Sequence, residues 1–110
     1  GYAVYNFWIE EPGNYVIWGR VIADTGGNNS FWVQIDDGEM KRWAIALCST
    51  WTWDQVNYWS GADETEFQPE IDPVVFTLSR GWHKLWIKQR EDGTMLDLIL
   101  ITDDLEYRPP

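Results

Sequence analysis

Turn signals recur at short intervals along this chain, and the runs between them alternate with period two. Glu11-Pro12-Gly13-Asn14, Gly26-Gly27-Asn28-Asn29, Asp37-Gly38, Ser79-Arg80-Gly81 and Asp92-Gly93 join Pro, Asn and Asp with Gly, the residues that reverse a backbone without strain. Between them the sequence is rich in β-branched and aromatic residues. Phe31, Val33 and Ile35 share one face of a run whose other face carries Trp32, Gln34 and Asp36. Tyr5, Phe7 and Ile9 share a face in the first run, Tyr15, Ile17 and Val21 in the second, and Leu85 with Ile87 in a later one. Side chains alternate across a strand but not around a helix, so helical periodicity is almost absent. Residues 95–101 are apolar apart from Asp97, which predicts a central strand covered on both sides. Seven or eight short strands joined by short turns read as an all-β, antiparallel sandwich.

A length of 110 residues suits one domain, taken as 1–108, with residues 109–110 reading as the start of a linker. Residues 57–73 break the alternation. They hold two prolines and five acidic residues and read as a long surface loop, a kind of segment that often carries function. No apolar run nears the roughly 18 residues of a membrane span, and the first residues do not read as a signal peptide. Eighteen acidic against eight basic side chains give a net charge of −10, which argues against nucleic acid, bound through clustered Lys and Arg. The single Cys48 has no intrachain partner and reads as a buried or half-buried thiol. The count that needs explaining is nine Trp, beside five Tyr and four Phe, since an indole must either pack or bind.

If antiparallel strands alternate in direction, their connections alternate between the two ends of the sandwich. Counting from a first strand at 2–10 puts Tyr2, the 24–30 loop with Asn28 and Asn29, a 48–52 loop with Trp51, Arg90 and Met95 at one end. The last two belong there if 53–56 and 74–78 form one strand interrupted by the long loop.

The same segments resemble carbohydrate-binding modules of families 6 and 35. Gly1-Tyr2-Ala3-Val4-Tyr5 followed by Pro12-Gly13-Asn14-Tyr15 is similar to their opening "GdwieY…peaGtY". Arg20-Val21-Ile22-Ala23 resembles "fRvA", and residues 31–38 resemble "f.v.vDG". Ser49-Thr50-Trp51-Thr52-Trp53 resembles "tGgWqtW", with one residue fewer between the tryptophans. The Ser79–Leu85 stretch resembles "l.aGtHtL", and Met95-Leu96-Asp97-Leu98-Ile99 resembles "nlDyi". The resemblance implies a jelly roll of the galactose-binding-like kind, secreted, monomeric, and covalently linked to a polysaccharide-degrading catalytic domain. It implies a cleft among the end loops, where Tyr2 and Trp51 grip a sugar ring. Met95 stands where the family has a sugar-binding Asn. Asp97 matches a residue near that family's structural calcium, so a structural calcium is possible, although the family's "AE" pair has no counterpart here.

Sugars offer weakly polar CH faces that a flat ring can cover while hydroxyls stay wet, so carbohydrate sites combine exposed aromatics with a few polar groups. Trp51 reads as a ligand contact or a core residue, and Trp53 as a strand residue facing the same way, packed in the core, with ligand contact as the reserve reading. Tyr58 and Trp59, in the long loop, read as ligand contacts or as a lid. Trp8, Trp32 and Trp86 fall opposite each strand's core residues, and the favoured reading is a second buried face rather than an aromatic platform. Trp18, Trp43 and Trp82 read as packing or turn residues. Arg90, Glu91 and Asp92 form either a hairpin turn or a hydroxyl-binding rim. The acidic stretch 63–72 lacks EF-hand spacing and reads as a solvated face. His83 is the only His, so neither a hydrolytic triad nor a multi-His metal site can be built from it. The chain therefore reads as a non-catalytic module that needs no cofactor and binds a polysaccharide. A neutral polysaccharide is favoured over a strongly anionic one, unless Arg20, Arg42 or Arg90 forms a local basic pocket. The alternative is a structural or protein-interaction sandwich of an extracellular protein.

Overall fold

The computed structural model describes residues 2–24, 30–60, 69–90 and 93–110. Among them there is no helix, and eight strands are present: β1 (Tyr2–Ile9), β2 (Gly13–Ala23), β3 (Ser30–Ile35), β4 (Lys41–Ala44), β5 (Cys48–Gln55), β6 (Phe76–Leu78), β7 (Gly81–Gln89) and β8 (Met95–Thr102). They form two antiparallel sheets. The front sheet has the order β1-β7-β3-β4, and the back sheet is built around β2, which pairs with β5, β6 and β8. Of the successive strands only β3 and β4 pair with each other in a sheet by a short turn, and the other connections pass between sheets or along one strand line.

Alternation decides what each strand buries. Phe31, Val33 and Ile35 of β3, with Leu85 and Ile87 of β7, turn inward from the front sheet to meet Ile17 and Val21 of β2. Trp43 is fully buried, and its ring lies where a side chain on Gly19 of the opposite sheet would stand. Its Nε1–H donates to Asp54 Oδ2 at 2.7 Å. Burial pushes the Asp54 carboxyl up to about 6, with a further rise from Asp72 and a partial offset from the Trp43 hydrogen bond.

The interrupted strand is present in the register. β5 runs antiparallel to β2 from Cys48 opposite Ala23 to Gln55 opposite Trp18, and β6 takes up the same direction with Phe76 opposite Tyr15 and Leu78 opposite Gly13. The chain between leaves and returns: Val74 N–H donates to the Val56 carbonyl, and Tyr58 bridges Ile71. Tyr2 pairs with Lys88, Phe31 with Gln89, Ala23 with Cys48 and Ile22 with Met95, so these positions do share one end.

Several expectations need correction. Residues 48–52 belong to a strand rather than a loop, because Cys48 already pairs with β2. β8 is not a central strand. It pairs with β2 alone among the described strands, and Met95 and Leu98 are exposed. A run of apolar residues fits an edge strand here because Leu96, Ile99 and Ile101 alone pack on the core, and a register shift opposite Arg20 and Val21 changes the alternation. The 90–94 connection is no hairpin, since β7 lies in the front sheet and β8 in the back; Gly93 does take a positive φ of 99° there.

Candidate functional site

The outward face of the front sheet follows from the same alternation. On β7 it receives Trp82, Lys84, Trp86 and Lys88, because His83, Leu85 and Ile87 turn inward. Register then sets their neighbours. Trp8 stands opposite Trp82, Asn6 opposite Lys84, Val4 and Gln34 flank Trp86, and Tyr2 and Trp32 flank Lys88. Arg42 of β4 extends the last row beyond Trp32.

These side chains are in contact with one another. The Tyr2 and Trp86 rings lie 5.5 Å apart and tilted, and Trp8 meets Trp82 edge to face at 5.6 Å, the arrangements that a ring quadrupole favours. Lys88 Nζ sits 5.8 Å from the Trp86 ring and the Arg90 guanidinium 5.9 Å from Trp32. At the β4 edge the Arg42 guanidinium stacks on Trp59 at 4.6 Å, and its Nε–H donates to the Trp59 carbonyl at 3.1 Å. Lys41 reaches Tyr58 in the same way, at 5.5 Å. The face is nevertheless open: Trp82 is 71% and Tyr2 68% exposed. A shallow hollow of about 670 Å³ lies between Trp82 and Trp86, with Asn6, Asp37 and Lys84 on its walls. A smaller one of about 200 Å³ lies among Trp32, Arg42, Tyr58 and Trp59.

His83 and Asp36 border the larger hollow, but their polar atoms are already bonded. His83 Nδ1 is 2.6 Å from Asp36 Oδ2 and Nε2 is 2.8 Å from the Ser79 carbonyl. Both partners are acceptors, so the ring is held as an imidazolium. Against the downward pull of burial, the Ser79 carbonyl and the Asp36 carboxylate raise the His83 pKa. Asp36 is lowered because the bonds from His83 and the Lys84 N–H exceed the upward push of its own burial. Neither ring nitrogen is available as a base. Asp54, a carboxyl raised by burial, lies between the sheets against Trp43 and faces neither hollow.

The structure divides the residues expected to form one site. Tyr2, Tyr58, Trp59 and Arg90 join the front face or its edge. Trp51 and Trp53 turn outward from the back sheet instead. Trp53 stands opposite Arg20, whose guanidinium lies 5.6 Å from the Trp51 ring. Tyr2 and Trp51 therefore occupy opposite faces of the sandwich, and Trp53 is half-buried on the surface rather than in the core. Asn28, Asn29, Glu91 and Asp92 lie outside the described residues, as does most of the acidic 63–72 stretch. Arg20 Nε–H donates to Asp97 Oδ1 at 2.9 Å and its Nη2 pairs with Oδ2, which holds the Asp97 carboxyl below its ordinary range. That calcium candidate has both oxygens bound to a cation already, and among the described residues no three metal-ligating side chains come together. At the Tyr2 end of the sandwich the described residues line a cavity of about 180 Å³, with Tyr2, Phe31, Ile87 and Leu96 among its walls but not Trp51.

The buried second face expected for Trp8, Trp32 and Trp86 is instead a solvent face, with Trp8 47% exposed and the other two half-buried. Trp82 is likewise a surface residue rather than a packing one. The available signal was the alternation Trp82, Lys84, Trp86, Lys88. A strand face on which two lysines alternate with two tryptophans cannot be dry, because each ammonium would have to be buried unpaired. Compared with known proteins, no family model matches this chain, and a search of curated proteins finds no match.

Proposed function

We propose that this protein is a non-catalytic carbohydrate-binding module, of the galactose-binding-like jelly-roll kind its motifs resemble, and that the sugar lies on the front sheet. The observation that carries the reading is the row of outward aromatics, Trp82, Trp86 and Tyr2 above all, on adjacent strands. Trp82 and Trp86 are four residues apart on one strand, about 13 Å by strand rise, so an extended chain can meet both rings. Asn6, Asp37 and Lys84 supply the amide, carboxylate and ammonium groups that orient hydroxyls. As a module it would target a linked, secreted polysaccharide-active enzyme to its substrate. Stacking on an open, preformed face gives modest affinity, in the micromolar range or about −8 kcal/mol.

Calorimetric titration with a panel of soluble polysaccharides tests this. Trp86→Ala is expected to weaken binding at least about tenfold, roughly 1.4 kcal/mol, while Trp51→Ala leaves it unchanged. A folded protein that binds no polysaccharide rules the reading out. Loss of binding in Trp51→Ala alone moves the site to the back sheet. One observation favours a second reading, an extracellular protein-interaction module: Leu98 and Trp51 on the back sheet are 45% and 43% exposed, and a sheet face with large exposed apolar groups suits a protein partner.

A further inference from the structure

We propose that the glycan recognised on this face is acidic, bearing carboxylate or sulfate groups read by Lys88 and Lys84; this rests on the carbohydrate-binding reading. The chain has an excess of ten negative charges, yet the sheets divide the charge unequally. The four front strands contain Lys41, Arg42, Lys84 and Lys88 and not one Asp or Glu. The back strands contain one cation, Arg20, and two carboxylates, Asp54 and Asp97. Every other carboxylate among the described residues lies in a turn, a connection or the C-terminal tail. On the aromatic face itself stand Arg42, Lys84 and Lys88, since Lys41 pairs with the inward Val33, and the described carboxylates lining its two hollows, Asp36, Asp37 and Glu39, lie in the turn after β3.

The two lysines are also placed to act. Among the described residues neither Lys84 nor Lys88 has a carboxylate partner, whereas Arg20 is tied to Asp97 and Lys41 lies 3.7 Å from Glu39. Lys88 leans towards the Trp86 ring from the row that holds Tyr2 and Trp32, so a sugar on Tyr2 or Trp86 brings its substituents to that ammonium. Lys84 stands midway between Trp82 and Trp86 on the same strand. Of the two carboxylates lining the hollow, Asp36 is paired with His83, which leaves Asp37 on the wall against Lys84. A flexible ammonium serves as a point charge for carboxylate and sulfate alike, and a field concentrated over one face raises the local concentration of a polyanion despite the overall charge.

The test is titration of the full chain with three polymers of matched length: a polyuronate, a sulfated galactan and an uncharged galactan. One or both charged polymers should bind more tightly than the uncharged one, and added salt should shrink the difference. Lys88→Gln should weaken the charged polymer roughly two- to fivefold and leave the uncharged polymer unaffected, whereas Lys84→Gln, which also removes a hydroxyl contact, should weaken the charged polymer by a larger factor than the uncharged one. Lys88→Arg should restore binding. The arm that responds to Lys88→Gln identifies carboxylate or sulfate as the group read. Uncharged polymer bound as tightly as both charged ones overturns the proposal, as does a charge preference that survives the double Lys84→Gln, Lys88→Gln variant. If binding is abolished by Trp86→Ala but shows no preference for charge, this inference fails and the carbohydrate reading stands. If no polymer binds, both fail.

Discussion

At the scale of single residues, the packing turns on a contact that only glycine permits. A methyl group on Gly19 would overlap the Trp43 ring and stand 2.9 Å from Leu96 Cδ1. The indole cannot swing aside, because it is fully buried and its N–H is fixed to Asp54. Gly19→Ala is therefore expected to cost about 1–3 kcal/mol, read as a fall in Tm of at least roughly 4 °C; an unchanged Tm would show that the core yields there. Asp54 carries the opposite opportunity. Its pKa, pushed up to about 6, means that the fold holds the proton more tightly than the unfolded chain does. Its contribution to stability is fully present below the ordinary value of 3.8 and is lost as pH rises through about 6. Asn at position 54 keeps an acceptor for Trp43 without the charge. Asp54→Asn should accordingly stabilise the protein by about 1–3 kcal/mol near pH 8, with the gain disappearing in acid, as thermal melts at the two pH values would show.

At the scale of elements, the edge of β4 is closed by a side chain at Ala44 and by the Trp59 N–H at the Arg42 carbonyl, 3.0 Å away. Asn57, buried, accepts the Ala44 N–H at 2.9 Å and donates to the Ala44 carbonyl at 2.8 Å. One amide thus satisfies both backbone groups of a strand residue, where β5 has just ended and the chain departs from β2. Removing it leaves a buried donor and a buried acceptor unpaired, each costing about 1–3 kcal/mol. Asn57→Ala should lower stability by about 2–4 kcal/mol and speed hydrogen exchange at the Ala44 amide, while a surface change such as Thr77→Ala on β6 should do much less. Normal protection of Ala44 in the variant would mean that the strand edge is held by other contacts. The same departure carries Tyr58 and Trp59 to the β4 edge, where they meet Lys41 and Arg42, so the clamp also sets one margin of the aromatic face.

At the scale of the whole molecule, the perturbed groups point to one pH response. His83, like Asp54, has a raised pKa, so its contribution is complete below 6.5 and is lost as pH rises through its higher folded value. Asp36 and Asp97 have lowered values, so theirs is present above 3.8 and lost as pH falls through the folded ones. Mutual repulsion among an excess of ten negative charges also eases towards the isoelectric point of about 4.2. Stability should therefore peak in mildly acidic solution, with Tm near pH 5 above that near pH 8. A His83→Gln variant should lose part of that difference, and an equal or higher Tm at pH 8 in the parent protein would contradict the assignment.

What the sequence determined by itself was most of the strands and the inward face of β1, β2, β3 and β7. Period-two alternation and Gly-rich turns are local properties, so Phe31, Val33, Ile35, Leu85 and Ile87 were legible as core. The direction of the interrupted β5–β6 line was legible too, because antiparallel pairing conserves it. Partnership between strands was not. Nothing local to residues 81–89 says that they lie between β1 and β3, so the assembly of Tyr2, Trp32, Trp86 and Lys88 into one face was hidden, as was the separation of Trp51 from Tyr2. Motif order along the chain gathered those two at one end; the sheet to which each strand belongs placed them on opposite sides. The outward half of each alternation can be solvent face or second core depending on what packs there, and that choice is made by long-range pairing, which a single sequence records only indirectly. The local pattern fixed which residues share a side of a strand, and the tertiary structure decided which sides water reaches.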